Sequence, residues 1–89
     1  MPDFDRALYG LAQTYIATGR ISQAVETLEF AVAKHPENAR MHFELAETYK
    51  LKRDYSRAYG SYIRVVQINP DTPLADKALI EAKRLQPLL

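Results

Sequence analysis

A chain of 89 residues with 47% hydrophobic and 26% charged side chains suits one globular domain with a modest core, not a disordered segment. The net charge of +1 divides into −2 over residues 1–38 and +3 over residues 39–89, far short of the basic excess that phosphate contacts to nucleic acid demand. Cysteine is absent, which excludes disulfides, thiolate metal sites and cysteine nucleophiles and fits a reducing, cytoplasmic setting. No apolar run reaches the roughly 18 residues of a membrane span. Asp3, Asp5 and Arg6 stand where a signal peptide would be apolar, so no secretory leader is expected.

Leu8, Leu11, Ala12 and Tyr15 follow the i, i+3, i+4, i+7 stripe of an amphipathic helix, with Asp3 expected as its cap. Thr18-Gly19-Arg20 ends it, glycine supplying the left-handed exit. A second stripe runs through Ile21, Ala24, Val25, Leu28, Ala31 and Val32 and stops at His35-Pro36, because the residue before proline is pushed out of the helical region. His42, Leu45, Ala46 and Tyr49 mark a third helix, followed by a turn at Lys52-Arg53-Asp54 that has no glycine. Tyr55, Ala58, Tyr59, Tyr62, Val65 and Val66 mark a fourth. Ser22 and Ser56 are expected to cap the second and fourth helices. A fifth starts at Thr72-Pro73, with Ala75, Ala78, Leu79 and Ala82 inward and Asp76, Lys77, Glu81, Lys83 and Arg84 outward.

These helices form two copies of one pattern. Pro36 and Pro70 are 34 residues apart, and the ungapped alignment of 5–38 on 39–72 makes nine of the 34 pairs identical. Leu11 meets Leu45, Ala12 meets Ala46, Tyr15 meets Tyr49 and Ala24 meets Ala58. The alanines are read as the places where paired helices cross most closely, and Leu28 and Tyr62 as fillers of the wider spaces. In the continued frame Ile80 takes the place of Ala12 and Ala46, and Lys83 the place of the tyrosines. The fifth helix therefore reads as a cap and not a third repeat.

Leu-small, Tyr, Ala, a large residue and Pro at these spacings resemble the tetratricopeptide repeat over almost the whole chain. The resemblance implies an all-α fold of antiparallel helix-turn-helix units stacked as a short right-handed superhelix of five helices. Its units are 5–38 and 39–72, with a capping helix at 73–85 and a tail at 86–89. Val65 and His42 depart from the family's Ala and Trp, which implies looser packing around the second unit.

Catalysis finds no foothold: neither histidine has a second at helical spacing, no serine sits on a glycine elbow, and no glycine loop could cradle phosphate. His35 reads as a helix-end residue, His42 as a packing residue, and Glu26 with Glu29 as a solvated face. No enzyme activity, cofactor or metal is expected. The resemblance instead implies a protein–protein interaction module that holds a peptide or helix along the concave face of its first helices. The lining positions would be Arg6, Tyr9, Gln13 and Ile16 from the first unit and Arg40, Phe43, Glu47 and Lys50 from the second. Leu74, Lys77 and Glu81 would extend them on the cap. Tyr9, Gln13, Glu47, Leu74 and Ala78 occupy the places where chaperone-binding members carry a carboxylate clamp, so that partner class is rejected. A structural or self-associating segment is the alternative, since Ile80, Leu85, Leu88 and Leu89 place apolar side chains at the end of the stack and open ends favour a homo-oligomer. Helical repeats that bind RNA fit less well at this period and charge.

Overall fold

The computed structural model describes residues 3–89. It comprises α1 (Asp3–Ala17), α2 (Ile21–Lys34), α3 (Ala39–Leu51), α4 (Tyr55–Ile68) and α5 (Pro73–Leu85), then a single 3-10 turn at Gln86–Leu88. No strand occurs among the described residues. Each helix packs on the next in sequence, giving the hairpins α1–α2 and α3–α4 with α5 against α4. α1 also touches α3, and α3 touches α5. The odd-numbered helices thus lie closer to one another than α2 lies to α4, and they form one face of the stack, the face that the resemblance makes the inner one.

The two hairpin turns share one geometry. Arg20 N–H donates to the Tyr15 carbonyl and Gly19 N–H to Ile16, at 2.7 and 3.1 Å; Asp54 and Arg53 repeat this to Tyr49 and Lys50 at 2.9 and 3.0 Å. This is the Schellman closure, which requires a left-handed residue. Gly19 supplies it at φ 78° in the first turn, and Arg53 is forced into it at φ 64° in the second. A left-handed non-glycine residue costs about 1–2 kcal/mol, while the extra freedom of an unfolded glycine returns about 0.5–1 kcal/mol. Arg53→Gly is therefore expected to stabilise by about 0.5–1 kcal/mol, read as a raised midpoint of chemical denaturation.

Caps lie earlier than the serines expected to make them. Arg20 and Asp54 precede α2 and α4, and Asp54 accepts from the Arg57 amide at 3.3 Å. Ser22 and Ser56 sit inside their helices because each helix restarts two residues after the left-handed residue, at Ile21 and Tyr55. Asp3, expected as a cap, is the first residue of α1 and places its charge beside the positive end of the helix dipole. Thr72 and Asn38 cap α5 and α3 through side-chain oxygens that accept from Ala75 and Met41 at 3.2 Å each.

Ala12, Ala24, Ala31, Ala46, Ala58 and Ala78 are completely buried along with Leu28, Tyr62 and Val65. Val65, expected to loosen the second hairpin, leaves no exposed surface. Cβ atoms at the crossings have no room to grow, so Ala24→Leu and Ala58→Leu are each expected to destabilise by about 1–3 kcal/mol, visible as lower denaturation midpoints.

End effects break the equivalence of the hairpins. Leu45 is 4% exposed, whereas its counterpart Leu11 is 42% exposed, since among the described residues no helix packs on that side of α1. Leu79, expected inward, is 38% exposed at the far end, and Ile80 faces the space a sixth helix would fill. Leu85, expected among the apolar residues left open at the end of the stack, is instead buried at 4% and belongs to the core, while Leu88 and Leu89 of the tail project.

Candidate partner-binding groove

Eight of the expected lining residues fall on α1 and α3. Arg6 is exposed, Tyr9 and Gln13 are half-buried on α1, and Ile16 lies half-buried a turn further on. On α3, Arg40 is exposed and Glu47 and Lys50 are half-buried. Phe43 differs from Tyr9, its equivalent, in being only 3% exposed. Its ring meets Tyr62 edge-on with centroids 5.6 Å apart, and the Lys77 ammonium covers it at 5.4 Å. Phe43 is therefore a buried residue covered by Lys77.

A polar chain crosses the face from α4 to α5. The Tyr62 hydroxyl donates to Glu47, whose carboxylate also faces Lys50 at 3.2 Å. Lys50 donates to Glu81 at 2.9 Å, and Glu81 pairs with Arg84 at 2.9 Å. Burial opposes the charge of Lys50, but its bonds to Glu81 and Glu47 outweigh that and raise its pKa above the ordinary lysine value. The bond from Lys50 holds the Glu81 carboxyl below the usual range. Burial pushes the Tyr62 phenol up, with Glu47 adding to the effect, so it remains a donor. Glu81, read from the helical pattern as outward and from the resemblance as a lining position, faces Lys50 on α3.

Sequence reasoning overlooked Glu44, one turn from Arg40 and paired with it at 3.3 Å. Its pKa is raised by burial, which the Arg40 charge only partly offsets. The i, i+4 spacing from Arg40 was the available signal. It also missed Glu29, expected in solvent, which accepts from the Tyr49 hydroxyl at 2.5 Å and ties α2 to α3.

The histidines do other work. His35 ends α2 and its Nδ1 lies 2.7 Å from Asp5 Oδ1, beneath Phe4. His42 Nε2 donates to the Pro36 carbonyl at 2.9 Å. Burial, with Arg64 adding repulsion, lowers the His42 pKa below its ordinary 6.5 despite that bond. The unfolded chain thus takes up the proton first as pH falls, so this contribution to stability is complete above 6.5 and is lost as pH drops through the folded value. Between about pH 7.5 and about pH 5.5, His42→Gln is expected to show a flatter loss of thermal midpoint than the wild type.

Antiparallel helix pairs stacked in order, with successive first helices exposed side by side, define a helical-repeat scaffold. The chain belongs to the tetratricopeptide-repeat family, whose sequence model matches residues 3–73. It is 36% identical over 73 residues to sperm-associated antigen 1 of Mus musculus and, equally, to that of Rattus norvegicus. Each match takes in 82% of this chain but 8% of the relative, so the chain spans a small part of those proteins. Tetratricopeptide repeats generally mediate protein–protein interaction and form non-catalytic scaffolds. No helix among the described residues is long and apolar enough to cross a membrane.

Proposed function

We propose that this chain is a protein-binding module that holds an extended or helical segment of a partner along the inner face of α1, α3 and α5, without chemistry of its own. The observation that carries this reading is the continuous layer of first helices, whose projecting side chains combine half-buried apolar surface with directional donors. Arginine and tyrosine in such a setting supply much of the affinity of many interfaces.

The test uses Tyr9 and Gln13, because truncating the buried Phe43 would mix folding with binding. Peptides selected from a displayed random library on the wild-type protein are measured by fluorescence anisotropy. Tyr9→Ala/Gln13→Ala is expected to weaken them at least about tenfold while helicity is retained. Unchanged affinity would discard the groove.

A second reading has its own support in the exposed Phe4, Leu11 and Phe30 at one end and Ile80, Leu88 and Leu89 at the other. Under it the chain packs into a larger repeat array or on itself. Light scattering that gives a multimer, reduced to a monomer on removal of Leu88 and Leu89, would favour that role.

A further inference from the structure

We infer that the segment held in the groove is acidic, which names the partner chemistry of the proposed binding face and rests on that reading. The basis is the depth at which each charge sits. Arg40 is 53% exposed above Glu44 at 13%, and Arg84 is 72% exposed above Glu81 at 15%. Glu47 is engaged by Tyr62 and Lys50. Glu44 and Glu81 are thus sunk beneath their arginines, while Glu47 and Lys50 lie level at 35% and 36% exposure and neutralise each other.

Two basic rows result. Arg6 and Arg40 hold equivalent places on α1 and α3, and Lys50 and Arg84 hold equivalent places on α3 and α5. Among the described residues Arg6 and Lys77 have no carboxylate within ion-pair distance. Arg40 and Lys50 are ten residues apart on one helix, so the rows stand about 15 Å from each other. That gap admits a helix about 10–12 Å wide or a single extended strand. Tyr9, Gln13 and Lys77 lie between the rows and offer the partner apolar area and donors. A face on which Arg6, Arg40, Lys77 and Arg84 stand uppermost concentrates ligands of the opposite sign.

The displayed-library selection also separates this inference from the groove assignment. Selected peptides are expected to be enriched in Asp and Glu. Their affinity is expected to fall at least about tenfold both in Arg6→Glu/Arg40→Glu and on raising salt from about 0.05 to about 0.3 M. Should the double reversal unfold, Arg6→Gln/Arg40→Gln and the salt titration of the wild type carry the same reading. Peptides without acidic enrichment that are still weakened by Tyr9→Ala/Gln13→Ala would overturn the acidic class and leave the groove standing. Acidic peptides indifferent to both double variants would overturn both. A single-stranded RNA oligonucleotide that displaces the selected peptides, or a selection that yields no binder, would overturn the acidic-peptide assignment.

Discussion

Tyr62→Ala is expected to cost about 3–5 kcal/mol, the range for removing a completely buried aromatic side chain. A chain of 89 residues holds about 4–13 kcal/mol in total, so the variant sits near the threshold of unfolding at room temperature. Two effects contribute, and Tyr62→Phe separates them. Phenylalanine keeps the ring that fills the space between α3 and α4 and meets Phe43, but gives up the bond to Glu47. Glu47 retains Lys50 at 3.2 Å and is one-third exposed, so water replaces much of what is lost. That variant is expected to cost about 1 kcal/mol. Urea denaturation of the two variants tests the division: equal losses would mean that the hydroxyl, and not the packing, fastens α4 to the groove. Because Phe43 rests on Tyr62 and carries Lys77, loss of the ring is also expected to disturb the proposed binding face, whereas Tyr62→Phe leaves the ring contact in place.

The fold was readable because a period of 34 residues repeats the demands of one helix hairpin. Alanine marks each close crossing and a large residue each wide one, and both assignments recur at the same offsets. Ala12 with Ala24 and Ala46 with Ala58 are accordingly buried where the pattern put them. Repetition is a poor guide wherever the neighbours differ. Leu11 and Leu45 are the same residue in the same frame, yet only Leu45 has a preceding hairpin to cover it. Leu85 corresponds in the frame to Leu51, which is 56% exposed, so the repeat gave no sign that it is core. The serines misled for a related reason: Ser22/Ser56 is an identical pair, but the helices begin upstream of both, fixed by the left-handed residue of each turn. Within the groove, periodicity put residues on a face but said nothing of depth. That Phe43 lies under Lys77, and that Glu81 faces Lys50, depends on contacts between helices 31 to 34 residues apart in sequence.

The cluster around Asp5 illustrates this most fully and leads to the second large effect. Asp5 opens the first repeat where the second has Ala39, so alignment gave it no weight. Its carboxylate is completely buried and accepts from His35 Nδ1 and Asn38 Nδ2, both at 2.7 Å, while the Asn38 Oδ1 caps α3 through the Met41 amide. One side chain thus secures the start of α1 to the junction of α2 and α3, which fixes the angle between the first two helices of the inner face. Asp5→Ala leaves the half-buried His35 and Asn38 donors without their buried acceptor, and is expected to destabilise by about 1–3 kcal/mol. Asp5→Asn distinguishes lost charge from lost geometry. Its amide can still accept from His35, but its NH2 then confronts the NH2 of Asn38, and Asn38 cannot turn over without giving up the cap on α3. More than half of the alanine penalty is therefore expected to persist in Asp5→Asn. Thermal unfolding of the two variants checks this, and an asparagine variant as stable as the wild type would mean that Asn38 is not held in both directions at once.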